Sequence, residues 1–241
     1  MDLKEIEMSF DETHHLCHGN PLYARKFERV MSFHPPGLAA VRDHSGAYHI
    51  DVWGNPVYTA RFLKSFGYYE GLAAVCDSRG WFHIDLDGRA IYTERYQWTG
   101  NFQEGRCAVR TPEGEYFHID RCGSPAYPGR YRYVGDFKYG IAVVYTGNTR
   151  ASHIDKNGNL IHGQWYRECD VYHKGFATAR DERGYLHIGK DGAPAYDERY
   201  MWVEPFYNEW ALCRTKDGEL VTRSKDGTVV WLARSMEEET V

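Results

Sequence analysis

Histidine and aspartate two residues apart recur along this chain, as His49 and Asp51, His83 and Asp85, His118 and Asp120, and His153 and Asp155. Residues i and i+2 of a strand share a face. Each pair could therefore be a proton-transfer couple or two ligands of a metal ion. A second grouping, His14-His15-Leu16-Cys17-His18, packs four metal-ligating side chains into five residues. Neighbours on a strand alternate faces, so few of His14, His15, Cys17 and His18 can converge, and a structural zinc takes four ligands. Arginine beside an aromatic recurs in Glu94-Arg95-Tyr96, Arg130-Tyr131 and Glu198-Arg199-Tyr200. That pairing can stack on a base or grip a carboxylate, or it can lie along apolar surface as part of the framework.

The spacing of these groups says what must position them. The histidine recurs at His49, His83, His118, His153 and His187, in steps of 34 or 35 residues. Gly37, Gly71, Gly105, Gly140 and Gly175 keep the same step, and Glu209 takes the sixth glycine position. So do Phe27, Phe62, Tyr96, Tyr131, Tyr166 and Tyr200. Three markers in register define a repeat array, with clear units over 34–206 and worn ones over 1–33 and 207–234. An identical His–Asp pair in every unit suits a periodic scaffold better than a single catalytic centre. The expected roles are an aspartate accepting from turn amides and a histidine bonding a backbone group of the next layer.

Each unit reads as short strands. Leu72-Ala73-Ala74-Val75-Cys76 is a small-residue strand, Trp81-Phe82-His83-Ile84-Asp85 a second, and Asp85-Leu86-Asp87-Gly88 a type I turn. Ala90-Ile91-Tyr92 begins a third strand, and 96–102 can supply a fourth. Pro56, Pro125 and Pro194 stand where strands begin. The chain is thus expected to be all-β, a β-propeller of about seven short blades, or six if the two worn ends share one. An open β-solenoid is the alternative. One continuous array over 1–234 is expected, followed by a disordered acidic tail at 235–241.

Composition narrows the function. The 241 residues include 19 Tyr, 7 Trp and 24 Gly and carry a net charge of −5. The chain has no run of basic residues of the kind a broad nucleic-acid footprint needs. Its first residues have no apolar core, so no signal peptide is expected, and no stretch is apolar enough to span a membrane. The six cysteines form no CxxC pair, which points to free thiols in a reducing cytoplasm.

The stretch Gly80-Trp81-Phe82-His83-Ile84-Asp85-Leu86-Asp87-Gly88, then Tyr96, then Phe102-Gln103-Glu104-Gly105, resembles the WG (KWG-like) repeat of bacterial proteins. The resemblance covers about residues 14–231. The Trp-Gly pair itself is absent, since Phe82 follows Trp81 and the other units carry Ala47, Glu115, Ser152 or Tyr185 at the Trp position. A histidine also stands where that family more often has an aromatic. The resemblance implies a β-rich binding scaffold and brings no catalytic motif with it.

No GxSxG, Walker-type loop or HExxH is present. The reading preferred is a non-catalytic scaffold binding a protein partner, as an accessory subunit of a larger bacterial assembly, monomeric by itself and without cofactor. Recognition of a glycan or nucleic-acid element is the alternative, and a hydrolytic or metal-dependent enzyme the third. Expected binding residues are Trp98, Tyr133 and Trp202, which share one slot in three units, with Trp53 and Trp165 near turns and Arg95, Arg130 and Arg199 beside aromatics.

Overall fold

The computed structural model describes residues 2–232, so the tail expected at 235–241 lies outside the described residues. Those residues form short strands and a single 3-10 turn, Leu3–Glu5. The strands assort into seven antiparallel sheets. Sheet 1 contains Ile6–Met8, His15–Cys17 and Asn20–Pro21. Sheet 2 contains Arg29–His34, Leu38–Asp43 and Gly46–Ile50, and sheet 3 Lys64–Tyr69, Leu72–Asp77 and Gly80–Ile84. Sheet 4 contains Trp98–Thr99, Cys107–Arg110 and Tyr116–Ile119. Sheet 5 contains Tyr133–Val134, Ala142–Gly147 and Arg150–Ile154, and sheet 6 Glu168–Cys169, Ala177–Asp181 and Gly184–Ile188. Sheet 7 adds a fourth strand, Val229–Trp231, to Trp202–Val203, Trp210–Arg214 and Leu220–Ser224. Chain neighbours are sheet neighbours throughout, which an open solenoid of parallel rungs would not give. Sheets 1–4 fall in one compact unit, Met1–Pro128, and sheets 5–7 in a second, Gly129–Val241.

A unit of 34 or 35 residues is short for four strands, and sheet 3 shows how the length suffices. Beyond its third strand, Ile84 bridges to Ala90 and Trp81 to Tyr96. The segment 90–96 therefore runs beside Gly80–Ile84 as an interrupted fourth strand held by two bridges. Sheet 2 repeats this with Ile50–Pro56 and Ala47–Phe62, and sheet 6 with Ile188–Pro194 and Tyr185–Tyr200. The prolines sit at the bridge that opens this strand, where no amide hydrogen is called for.

The alternation along Trp81-Phe82-His83-Ile84 predicts one apolar and one polar face. Phe82, His83 and Ile84 are all buried, because sheet stacks on sheet and the histidine face is covered by the next one. Ile50, Ile84, Ile119, Ile154 and Ile188 are fully enclosed, each contributing about 1.5–3 kcal/mol of apolar burial. In sheets 2–4 alanines stand directly across from the histidines. Ala40 pairs with His49, Ala74 with His83 and Ala108 with His118. A bulky side chain there would occupy the space the imidazole and the neighbouring sheet share.

In sheets 2, 3, 4 and 6 the turn that follows the third strand seats a side chain from the sheet before. A Cβ on Gly88, at φ +77°, would lie 2.6 Å from Cγ of Tyr58. Gly105 has nearly the same backbone, φ +75°, with nothing within 4 Å of the same position. Left-handed backbone costs a non-glycine residue about 1–2 kcal/mol at either site, and only Gly88→Ala adds a collision with a partly buried ring. Urea denaturation is expected to show Gly88→Ala losing at least about 1 kcal/mol more than Gly105→Ala. Equal losses would mean that the ring does not sit on that turn.

Candidate functional site

The repeated histidine is a cross-link between sheets. His83 Nε2 donates to the Gly100 carbonyl of sheet 4 at 3.0 Å, and its Nδ1 accepts from the Tyr92 hydroxyl at 2.5 Å. His15 does the same with Met31 O (2.9 Å) and Tyr23 (2.5 Å). His187 bonds Glu204 O (2.7 Å) and Tyr196 (2.5 Å). His49 bonds Phe66 O (2.7 Å) and the Tyr58 hydroxyl. A carbonyl only accepts, so the proton sits on Nε2 and the tyrosine is the donor to Nδ1. The ring also packs on an aromatic of the next sheet, His83 on Phe102 at 4.8 Å and His187 on Phe206 at 4.1 Å. Sheet 5 differs, because His162 replaces the tyrosine and lies 3.0 Å from His153 Nδ1.

Both ring nitrogens are thereby committed, and burial fixes the charge state. Desolvation holds His49, His83, His153 and His187 down at about 4. A neutral imidazole with no spare proton and no spare lone pair can neither shuttle protons nor bind a metal. The aspartates are committed too. Asp85 Oδ1 accepts from the amides of Asp87 (3.0 Å) and Arg89 (2.8 Å), and Asp155 from those of Asn157 and Asn159.

Two of the arginines expected to bind a ligand are framework instead. Arg95 donates through Nε to Asp77 at 3.0 Å, lies 3.5 Å over the Phe82 ring and caps the carbonyls of Thr93 and Glu94. Arg199 repeats this with Asp181 at 2.6 Å and the carbonyls of Tyr196, Asp197 and Glu198. Their side chains are 12% and 6% exposed, which leaves little for a ligand to grip. Arg130 is exposed and donates to the Gly129 carbonyl. Trp53 is 74% exposed on the Asp51 turn. Trp98, Tyr133 and Trp202 open the first strands of sheets 4, 5 and 7 and are partly exposed. Trp98 leans on Tyr116 and Tyr133 on Tyr145, while Trp202 faces Arg214 across the ladder. Trp165 is half-buried with Arg150 over its ring.

A different set of aromatics is more prominent in the second unit. The hairpins joining first and second strands have two central residues, both with positive φ: Tyr139-Gly140, Lys174-Gly175 and Asn208-Glu209. This is the two-residue turn whose twist suits an antiparallel pair. Lys138 and Ile141 exchange both backbone bonds around the first, His173 and Phe176 around the second, Tyr207 and Trp210 around the third. Tyr139 is 72% exposed in the first hairpin; in the third, Tyr207 is 57% exposed and Trp210 is exposed as well. His173 packs on Tyr207 at 5.4 Å, and Lys174 Nζ reaches Asn208 at 3.1 Å, so the tips of sheets 6 and 7 touch. The equivalent tips of sheets 3 and 4 are charged and tied together, Glu70 accepting from the Gly105 amide and from Arg121. Tyr139, His173, Tyr207 and Trp210 were legible only as the residues in and beside the Phe-x-x-Gly turn where copies diverge.

The first unit holds a pocket of about 440 Å³ between sheets 2 and 3. Arg29, Arg42 and Lys64 supply charge, and Met31, Phe66 and Trp81 apolar walls. Phe66 and Trp81 are stacked at 5.1 Å, and Ser65 Oγ is buried there without a hydrogen-bond partner. The strands carrying Met31 and Phe66 are bulged at those residues, which re-aims their side chains. At the N-terminus the four candidate ligands separate. His15 is the buried cross-linking histidine and His14 turns to Thr13 and Asp11. Cys17 and His18 are joined by Glu5.

No family model and no curated protein matches the chain. Among solved structures it is similar to BamB from Moraxella catarrhalis, at 11% identity and TM-score 0.50, over 98% of this chain and 86% of that one. It is also similar to the computationally designed Ika8 protein, at 10% identity and TM-score 0.51, over 93% and 82%. The fold is a β-propeller. Its blades are the seven sheets, and at this identity the likeness speaks for fold alone. No helix among the described residues is long and apolar enough to cross a membrane.

The blade-linking histidines make stability depend on pH. An unfolded histidine titrates near 6.5, whereas His49, His83, His153 and His187 stay neutral in the folded chain down to about 4. Above 6.5 both states are neutral and stability is flat. Between 6.5 and 4 only the unfolded chain takes up these protons, so stability falls. The loss is on the order of 3 kcal/mol per histidine across the window. Urea midpoints measured from pH 8 to 4 are expected to hold steady to about 7 and then drop. A midpoint unchanged at pH 4.5 would remove the histidine cross-links from the account.

Proposed function

We propose that this protein is a non-catalytic binding scaffold that holds a protein partner through the blade tips of sheets 5–7. The observation that carries the reading is the exposure of Tyr139, Tyr207 and Trp210 on rigid two-residue hairpins. Large aromatics held in one conformation lose little freedom on binding and supply most of the energy of a protein interface. Lys138 and Lys174 flank them and suit a partner surface with acidic groups at its rim. The likeness of the repeat to the WG repeat of bacterial proteins supports membership of that family, and a role as an accessory subunit of a larger bacterial assembly. Cys17, Cys76, Cys122, Cys169 and Cys213 are free thiols, which suits the cytoplasm.

A second reading has one observation in its favour. The pocket lined by Arg29, Arg42, Lys64, Phe66 and Trp81 suits an organic anion with a flat apolar body. A small ligand of this kind would serve recognition of a glycan or nucleic-acid element.

The tip reading is tested with the triple variant Tyr139→Ser, Tyr207→Ser, Trp210→Ser against the parent chain, with Trp53→Ser as control. Loss of such anchors is expected to weaken a stoichiometric partner's binding by about 30-fold or more, at unchanged circular dichroism. Trp53→Ser keeps the affinity. A partner that binds the triple variant as tightly as the parent would place the interface elsewhere.

A further inference from the structure

The first blade breaks the repeat at one point. In sheets 2–5 the residue two after the histidine is Asp51, Asp85, Asp120 or Asp155, and its carboxylate caps the following turn. In sheet 1 that residue is Cys17. Its turn is also shorter, because Cys17 pairs directly with Asn20 and leaves only His18 and Gly19 in the loop. Their φ values are +50° and +77°, the two-residue hairpin that closes on backbone bonds alone. The carboxylate cap has no task here, so the position is free to carry a thiol. The turn's first residue prefers glycine or asparagine, yet it is His18, with its side chain 72% exposed.

A third donor is brought in by the adjacent strand. Ile6 lies opposite Cys17 in the ladder, and the 3-10 turn Leu3–Glu5 ends immediately before it. Glu5 is thereby set beside the hairpin, its carboxylate 3.7 Å from His18 Nε2. One donor atom from each of Glu5, Cys17 and His18 lies within 4.8 Å of the other two, and no other such group occurs among the described residues.

We propose that Glu5, Cys17 and His18 bind a divalent transition-metal ion of the zinc class, leaving a fourth position to water. Zinc takes thiolate, imidazole and carboxylate at about 2.0–2.3 Å in a tetrahedron, and Glu5 and His18, both exposed, are free to rotate toward the half-buried Cys17. Thiolate and carboxylate together balance the ion's two charges. Calcium and magnesium are disfavoured, since they select oxygen donors. His14 and His15 take no part, being engaged elsewhere.

Cobalt(II) titration of the reduced full-length protein tests this, because a bound thiolate gives a sulfur-to-cobalt charge-transfer band and a tetrahedral site intense visible bands. Both bands are expected for the parent chain and for Cys122→Ser, which removes the exposed cysteine of blade 4, and zinc should bleach them. Cys17→Ser is expected to abolish the charge-transfer band. His18→Gly, which suits the turn, and Glu5→Gln are expected to weaken binding by about ten-fold or more, with circular dichroism unchanged. Absence of a thiolate band in the parent, its persistence in Cys17→Ser, or parental affinity in His18→Gly would overturn the proposal.

Discussion

A buried histidine that must stay neutral holds one blade to the next. Its Nε2 proton goes to a backbone carbonyl of the following sheet, and its Nδ1 lone pair to a hydroxyl of its own. Each bond fixes the other, because a ring that donates on one side in the neutral state can only accept on the other. The rest of the repeat follows from making room for this ring. In sheets 2–4 an alanine stands across the ladder from it, an aromatic of the next sheet packs against it, and the rings of Tyr23, Tyr58 and Tyr92 each rest on a turn glycine one blade further on. The phrase His-Ile-Asp then has one task per residue, joining the next blade, filling the core of its own, and closing the turn.

Sheet 5 shows which parts of this device are interchangeable. His162 stands where the other blades have tyrosine, and a Cβ on Gly192 would meet its ring at 2.5 Å, as Gly88 meets Tyr58. The flat ring over a glycine is kept. The donor is kept only if His162 carries its proton on Nε2, since His153 Nδ1 must accept. That leaves His162 Nδ1 as a buried acceptor without a hydrogen-bond partner. Tyrosine offers its hydroxyl proton with no such remainder, which accounts for its use in the neighbouring blades.

The period, the sheet count and the structural nature of the His–Asp pairs were legible because they are local or repeated. The offset of nine residues from His83 to Tyr92, and from His187 to Tyr196, is equally regular. Nothing in a tyrosine at the opening of a strand marks it as the partner of a histidine nine residues earlier. The surroundings of Arg95 and Arg199 are not local. Whether Arg95 faces solvent depends on Asp77, eighteen residues earlier, lying across the sheet from it. Strand alternation says which face a side chain takes but not whether a long one folds back over its own blade. The bulges that shape the pocket at Met31 and Phe66 depend on register, to which composition is blind.

Where the copies differ, the reason for the difference separates framework from function. At the hairpin between first and second strands, blades 3 and 4 carry Glu70 and Glu104, and Glu70 is held by the Gly105 amide and Arg121. Those tips need their charges to stay together. The tips of blades 5 and 7 carry Tyr139, Tyr207 and Trp210 at the same turn, open to solvent. Tyr139 sits at φ +54°, but Glu70, Glu104 and Lys174 take φ +51°, +52° and +48° at the same place, so this backbone belongs to the repeat. What sets the tips of blades 5 and 7 apart is the large ring held in water, which works against the isolated fold. That cost, on a framework that satisfies its repeated histidines and aspartates so fully, is an observation in favour of the proposed partner surface and serves no need of the blade.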